Sequence, residues 1–253
     1  MNIITNAKNK IIRKAISLYT PRGRREHSLF PVEGVRAVTD ALARGARCDF
    51  LLVAQSAEFE ALKSEVAYVV SDEVFRSLSD TINPQGVFGA FEIPKTQVDE
   101  TRGAVVLCDN VRDPGNVGTI IRTADAVGCG GVIFSKGCAD VFGPKAVRSS
   151  MSGILSVPIK TDADLAEEAE NLKKRGITVV ATMLSANSVS LYESQLQKNC
   201  AFIIGSEAEG VSEKLAAKAD MCVRIPMRSH AESLNAAVAC AVVLYEHLRR
   251  NLV

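Results

Sequence analysis

From residue 104 onward, short apolar segments alternate with helical segments, and this alternation constrains the fold more than any other feature of the sequence. The apolar segments are AVVLCD, GGVIF, SVPI, ITVVAT and CAFIIG, and a last helix is predicted from about residue 232 to 250. Strands that lack internal polar alternation are buried on both faces, which requires a parallel sheet covered by helices on each side. We therefore predict an open parallel α/β domain.

The preceding residues predict a smaller α/β module. Apolar periodicity indicates strands at CDFLLVA, VAYVV and QGVFGAFEIP and helices at NKIIRKAISLY, VEGVRAVTDALARG, SAEFEALKSE and SDEVFRSLSD. Because Pro and Gly interrupt it, TPRGRREHSLF is predicted to be a basic loop. The polar stretch PKTQVDETRG has no periodicity and is typical of a linker. The predicted boundaries are an N-terminal domain at 1–93, a linker at 94–103 and a C-terminal domain at 104–253.

The charge of the chain is unevenly distributed. Net charge is only +1, yet residues 1–50 carry ten Lys and Arg against four Asp and Glu. Such asymmetry is expected when one module meets phosphates and the other does not. A solvated basic helix would give the same pattern, so charge alone leaves both interpretations open.

Three polar loops follow predicted strands, at the sheet edge where parallel α/β domains bind ligands. They are DNVRDPGNVGTIIRT at 109–123, GSEAEGVS at 205–212 and IPMRSHAESLN at 225–235. Taken singly, each has a structural explanation. Gly205 and Gly210 suit turns, Arg122 suits a helix surface, and AAVACAVV suits a closely packed core helix.

Together and in this order, the loops resemble the three motifs of the SpoU, or TrmH-like, RNA ribose 2′-O-methyltransferases of the SPOUT superfamily. The first motif is matched by Asn116, Gly118, Arg122 and Thr123, and the second by Gly205, Ser206, Glu207 and Gly210. The third is matched by Ile225, Pro226, Met227, Ser233, Leu234 and Asn235. FPVEGVRAVTDAL, at 30–42, is similar to the start of that family's substrate-binding domain, which has an L30e-like fold.

This resemblance implies an L30e-like α/β domain followed by a SPOUT domain that carries a C-terminal trefoil knot. It implies transfer of a methyl group from S-adenosylmethionine to a ribose 2′-hydroxyl of RNA, and a homodimer formed through the C-terminal domain. The catalytic residues that it implies are Arg122, Asn116, Ser233, Asn235 and Glu207. The implied cofactor-binding residues are Gly205, Ile225, Leu234 and Met227, and we expect Lys14, Arg22, Arg24 and Arg25 to contact RNA phosphates.

The role of Arg122 stays open at this point. The family assigns proton removal to this arginine, but a guanidinium is effectively always protonated, so clamping a phosphate is an equally sound role. The loop from Arg228 to Ala231 is bulkier than the family pattern, and no role is assigned to it. We interpret His230 as a surface-loop residue rather than a base.

Other classes of function are less well supported. The seven scattered cysteines contain no C-x-x-C pair and the three histidines have no ligand spacing, so no metal site is expected. The polar N-terminus and the lack of a long apolar stretch predict a cytoplasmic protein without a membrane anchor. A Rossmann-type oxidoreductase would need a glycine fingerprint and an acidic residue after GGVIFS. An inactive RNA-binding or ribosome-assembly factor is the main alternative, and the L30e-like domain favours ribosomal over transfer RNA.

Overall fold

The computed structural model describes residues 3–59, 66–228 and 233–252, and the packing divides the chain into two compact units. The first unit comprises the residues up to Lys95 together with Phe142–Leu155. The second comprises Thr96–Val141 and the residues from Ser156 onward. Within the described ranges, no helix is both long enough and apolar enough to cross a membrane.

The first unit is a four-stranded sheet with helices packed on it. Its helices include α1 (Lys10–Ser17), α2 (Pro21–His27), α3 (Val35–Ala43) and α4 (Asp72–Leu78). Its strands are β1 (Leu29–Glu33), β2 (Cys48–Ala54), β3 (Ala67–Val70) and β4 (Val87–Glu92), in the order β1-β4-β2-β3. Strands β2 and β3 are parallel, and the other pairs are antiparallel. Side chains of α1 and α4 pack on Phe50 and Phe88 to form the core.

The second unit is an all-parallel sheet of seven strands. They are β5 (Val105–Cys108), β6 (Gly131–Ser135), β7 (Ile159–Ala163), β8 (Thr178–Thr182), β9 (Val189–Ser190), β10 (Cys200–Ile204) and β11 (Met221–Arg224). Their order is β7-β6-β5-β10-β8-β11-β9, and every pair is parallel. This confirms the predicted parallel sheet.

Helices cover both faces of this sheet. The second unit contains α5 (Pro114–Val127), α7 (Leu165–Lys174), α8 (Glu213–Ala216) and α9 (Ala236–Asn251), whereas α6 (Pro144–Ser150) belongs to the first unit. Alternate strand residues such as Leu107 and Ile203 pack with α7 and α8 in one core. On the opposite face Phe202 contacts His247 of α9, and α9 packs on α5. Burial on both faces explains why the central strands β5, β6, β8 and β10 are continuous apolar runs.

A segment of the predicted C-terminal domain packs with the first unit. Residues 142–155 contain α6 (Pro144–Ser150) and a 3₁₀ turn at Gly153–Leu155. The Phe142 ring lies 5.4 Å from that of Phe30 in β1, and Arg148 forms an ion pair with Asp80 at 3.2 Å. The predicted domain boundaries place this segment with residues 104–253, because sequence order does not show with which sheet a helix packs.

The local predictions differ from the structure at several points. The predicted loop 20–30 contains α2, because Thr20 caps the helix and Pro21 occupies the first helical position, where its missing N–H costs nothing. The strand predicted at SVPI begins only at Ile159, and the two-residue edge strand β9 was not predicted. Most of the helix predicted at SAEFEALKSE lies outside the described residues.

Candidate active site

A cavity of about 480 Å³ opens at the carboxyl ends of β8, β10 and β11. In parallel α/β sheets this edge is the usual ligand site, and the volume lies in the range of small-molecule pockets. Four residues expected to bind cofactor, namely Gly205, Ile225, Met227 and Leu234, line it together with Ser233 and Glu207. The second and third sequence motifs therefore meet around one cavity.

A chain of hydrogen bonds joins all three motifs beside this cavity. The side-chain amide of Asn116, on the first turn of α5, donates to the carboxylate of Glu207. Asn235 Nδ2 in turn donates to Asn116 Oδ1 at 2.9 Å. Residues 116, 207 and 235 are far apart in the sequence, so their direct contact is a property of the fold. We refer to these three residues as the Asn–Glu–Asn chain.

Helix capping fixes the side chain of Asn235 and the backbone of Asn116. Asn235 is the N-cap of α9, and its Oδ1 accepts from the backbone N–H groups of Ala237 and Val238 at 3.0 and 3.2 Å. This leaves only Nδ2 to reach Asn116. Asn116 is held by its own N–H, which donates to Asp113 Oδ1, the N-cap of α5, at 2.9 Å. The caps thus orient the polar groups that face Glu207.

The loop that carries Glu207 is closed on itself. Ser206 and Gly210 exchange two backbone hydrogen bonds of 3.1 and 3.0 Å, and Gly210 has a φ of +69° that favours glycine. A Cβ atom on Gly205 would lie 2.1 Å from the carbonyl carbon of Gly210. The motif glycines are therefore required by the closure of this loop, independently of any ligand.

Asp109 is a site residue that the sequence motifs did not reveal. It follows β5 directly and its residue is only 6% exposed. Its backbone N–H donates to Ile204 O at 2.8 Å, and its Oδ2 accepts from the N–H of Ser212 at 2.9 Å. Asp109 therefore holds both ends of the loop 205–212. Its position directly after an apolar strand was the only available signal in the sequence.

Three further residues at the end of β8 line the cavity from the side opposite β5. They are Thr182, the last residue of the strand, and Met183 and Leu184 after it, and no sequence motif marks this position. Strand β8 lies between β10 and β11 in the sheet, so its carboxyl end enters the same cavity. This neighbourhood depends on strand order, which local patterns do not show.

Arg122 lies on the exposed side of α5. Among the described residues, neither a hydrogen bond nor an ion pair of its side chain is found, and it is not among the residues that line the cavity. Thr123 Oγ1 donates to Thr119 O within the same helix at 2.9 Å. The structure therefore separates the first motif into Asn116 at the cavity rim and an arginine that faces outward.

The basic residues of the first unit do not all behave as expected. Arg22 and Arg25 are exposed on α2, and Lys14 pairs with Asp49 at 2.8 Å while remaining partly exposed. Arg24 is only 4% exposed, and its Nη1 donates to Leu18 O at 2.5 Å. This corrects the expectation that Arg24 contacts phosphate, because a guanidinium that caps α1 from within the unit does not face RNA.

The histidines and cysteines are the remaining polar candidates from the sequence. His230 and the rest of Ser229–Glu232 lie outside the described residues. All seven cysteines are free thiols, and burial raises the pKa of Cys48 and Cys129 to about 12. Thiols of this kind are protonated near neutral pH and are poor nucleophiles.

Comparison with known proteins agrees with both units. The family model described as the SpoU rRNA Methylase family matches residues 103–245. A model described as the MRM3-like substrate binding domain matches residues 9–89. These two matches cover most of the chain.

Individual relatives match over nearly their whole length. The 23S rRNA (guanosine(2553)-2′-O)-methyltransferase RlmP of Bacillus subtilis is 33% identical over 98% of this chain and 100% of its own. An AdoMet-bound rRNA methyltransferase from Sinorhizobium meliloti superposes with a TM-score of 0.86, at 30% identity, over 100% and 98% of the two chains. The SpoU methyltransferase AviRb from Streptomyces viridochromogenes, solved with AdoMet, gives a TM-score of 0.85 at 28% identity, over 97% and 99%.

Proposed function

This chain belongs to the SpoU rRNA methylase family and is an S-adenosylmethionine-dependent RNA 2′-O-methyltransferase, and we propose that its substrate is a ribose 2′-hydroxyl of large-subunit ribosomal RNA. The observation that carries the proposal is the Asn–Glu–Asn chain, which places polar groups of three motifs beside one cavity. The substrate class is supported by the relative from Bacillus subtilis, which is named for 23S rRNA.

Both the apolar and the polar groups that line the cavity suit the cofactor. Ile204, Ile225 and Leu234 provide apolar surface for a heterocycle. The hydroxyl of Thr182 is buried at the cavity without a hydrogen-bond partner among the described residues, so it has capacity for a ligand atom. When bound, S-adenosylmethionine supplies a methyl group on a positively charged sulfonium. We propose that Gly205, Ile225, Met227 and Leu234 hold it.

We assign proton removal to Glu207. A ribose 2′-hydroxyl is a poor nucleophile and must lose its proton as it attacks. Glu207 is the ionisable member of the Asn–Glu–Asn chain, and its carboxylate is held by the donor of Asn116. Asn235 orients Asn116, while Ser233 lines the cavity at the end of the third motif. These residues position the acceptor hydroxyl and receive its proton.

We assign to Arg122 the role of clamping the RNA backbone. A guanidinium acts as a base only when strong desolvation or neighbouring cations lower its proton affinity. The Arg122 side chain is exposed and makes neither a hydrogen bond nor an ion pair among the described residues, so its guanidinium is available to a ligand. Its planar fork suits bidentate contact with a phosphate.

The test of the proposed function is transfer of a tritiated methyl group to unmodified ribosomal RNA, with unmodified transfer RNA as the comparison. Label in alkali-resistant dinucleotides of 23S rRNA alone is the expected result, because 2′-O-methylation protects the adjacent phosphodiester. Label in transfer RNA alone would refute the substrate class. Cofactor binding without transfer to either RNA would favour an inactive RNA-binding factor.

Arg122→Ala tests the clamp. We expect methyl transfer to fall by at least about 100-fold, since positioning contributes heavily to the rate, while cofactor affinity stays within about twofold. The matched control is Arg112→Ala, which removes an exposed arginine from the loop before α5 that belongs to no motif. Equal losses in both variants would show a general charge effect and would contradict a specific clamp.

We propose that the first unit provides the RNA platform through Arg22 and Arg25, with a lesser contribution from Lys14. The two arginines are exposed on one short helix, whereas Lys14 is partly neutralised by Asp49. Such contacts position RNA without reading its sequence.

We propose that two copies associate through the second unit. On α9, Val238 and Tyr245 are 49% and 52% exposed and lie two turns apart, on the same side of the helix. Tyr245→Glu should convert a dimer into a monomer in analytical ultracentrifugation, and a monomeric wild-type protein would refute the proposal. We also place the enzyme in the cytoplasm, which free cysteine thiols support. The trefoil knot stays a prediction.

A further inference from the structure

Thr182 is the last residue of β8 and lies at the carboxyl edge of the sheet. Its backbone is fixed by the ladder, since Thr182 is in register with Val223 of β11 and the next N–H, that of Met183, donates to Val223 O at 2.9 Å. Thr182 is one of the residues that line the cavity, and its Oγ1 is buried without a hydrogen-bond partner among the described residues. The position of this hydroxyl is therefore determined by the fold.

A buried hydroxyl without a partner destabilises the folded chain. Valine has almost the same shape and a higher preference for strands, so it would occupy this position without that cost. Polar groups that are costly in the free protein are typical of functional sites, where a ligand satisfies them.

The surroundings indicate which part of a ligand meets this hydroxyl. Neighbouring strand ends contribute apolar side chains to the cavity, notably Ile204 and Ile225, whereas the charged groups of Glu207, Glu209 and Arg224 are exposed. A single hydroxyl among apolar side chains suits a heteroatom of a flat, otherwise apolar group. In the cofactor, the adenosine half has this character, and the amino-acid half is charged.

We propose that Thr182 is a cofactor-binding residue whose hydroxyl forms a hydrogen bond with the adenosine half of S-adenosylmethionine. The inference rests on the proposed function, because it takes the cavity as the cofactor site. Since the free protein has already desolvated the hydroxyl, the bond formed on binding restores a lost interaction. The contribution to affinity is then larger than that of an ordinary exposed hydrogen bond.

Replacing Thr182 by valine should change stability and affinity in opposite directions. The melting temperature of the free Thr182→Val protein should rise by about 2–6 °C, because the unsatisfied hydroxyl is gone. Its dissociation constant for S-adenosylhomocysteine, measured by calorimetry, should rise about tenfold. Thr182→Ser keeps a hydroxyl and should retain most of the affinity. Thr178→Val, at the other end of β8, controls for strand preference and should leave affinity unchanged.

A second ligand locates the contact. With 5′-methylthioadenosine, which lacks the amino-acid half, Thr182→Val should lose affinity by the same factor as with S-adenosylhomocysteine. A loss confined to S-adenosylhomocysteine would overturn the assignment to adenosine. Unchanged affinity for both ligands, or a lower melting temperature of the valine variant, would overturn the role of the hydroxyl. Failure of the wild-type protein to bind either ligand would instead refute the proposed function, and the inference with it.

Discussion

The Asn–Glu–Asn chain makes a quantitative prediction about how Asn116 and Glu207 act. Asn116 forms one hydrogen bond with Glu207 and a second with Asn235. If Asn116 acts by orienting the carboxylate, part of its contribution must disappear once the carboxylate is gone. A double-mutant cycle with Asn116→Ala and Glu207→Gln measures that part.

The expected losses in rate follow from the number of hydrogen bonds that each substitution removes. Each hydrogen bond contributes about 1 kcal/mol net, so Asn116→Ala, which loses two, should lower the rate of methyl transfer by about 30-fold. Glu207→Gln keeps an acceptor for Asn116 but removes the base, and should lower the rate by about 10²- to 10⁴-fold. In the glutamine background residue 207 is no longer a base, so orienting it does not affect the rate. Only the hydrogen bond with Asn235 still contributes to the rate of methyl transfer. Asn116→Ala should then cost about fivefold, which gives a coupling energy of about 1 kcal/mol.

Single-turnover transfer of a tritiated methyl group to ribosomal RNA, with saturating cofactor, isolates the chemical step. Thr119→Ala is the control, since it removes a hydrogen bond on the exposed side of the same helix, outside the Asn–Glu–Asn chain. It should change the rate by less than about twofold. Additive effects, with Asn116→Ala costing about 30-fold in both backgrounds, would refute the orienting role.

Further predictions concern the glycine loop, one buried carboxylate and the basic helix. Gly205→Ala should lower the melting temperature by about 4–10 °C and weaken the binding of S-adenosylhomocysteine, both measured by calorimetry. The reason is that the new Cβ would meet the Gly210 backbone. An unchanged melting temperature would contradict the closure of this loop. The hydrogen bond from Arg249, and then that from Arg250, lower the pKa of Glu246 to about 2 against the opposing effect of its burial. A carboxyl group with a lowered pKa stabilises the folded state at pH values above the ordinary pKa of glutamate. The urea midpoint of the wild type should therefore exceed that of Glu246→Gln, and this difference should shrink as the pH falls from about 5 to 2. A difference that stays constant over this range would contradict the lowered pKa. Replacing Arg22 and Arg25 by Gln should reduce the slope of log affinity for ribosomal RNA against log salt by about 1–2, and an unchanged slope would exclude α2 from the RNA interface.

The features that the sequence predicted correctly depend on local physics. Continuous apolar runs predicted the central strands β5, β6, β8 and β10, because burial on both faces leaves no room for polar alternation. The helix predicted at SDEVFRSLSD contains α4, which Ser71 caps. The loop predicted at residues 20–30 is wrong over α2, because proline is also favoured at the first helical position.

Several site features could not be predicted from local patterns. Asp109 follows β5 and Thr182 ends β8, and nothing in their sequence neighbours distinguishes them from ordinary strand ends. The burial of Arg24 depends on its reach to the end of α1, which charge counting does not include. Asp109 is identified only by its contact with Ser212, which is distant in the sequence, and Thr182 only by the cavity that the end of β8 borders.

The order of the strands in the second sheet determines which loops meet at the candidate active site. β10 lies between β5 and β8, although it follows both in the chain, and β11 lies on the far side of β8. This order brings the loop after β10 beside the loop after β5, so that Glu207 meets Asn116 and Asp109 meets Ser212. It also places the end of β8 between those of β10 and β11, where Thr182 enters the cavity. Any sheet that kept the strands in chain order would separate β5 from β10 and break the Asn–Glu–Asn chain. The polar contacts of this site are therefore a consequence of topology, and spacing in the sequence specifies only the residues that the topology brings together.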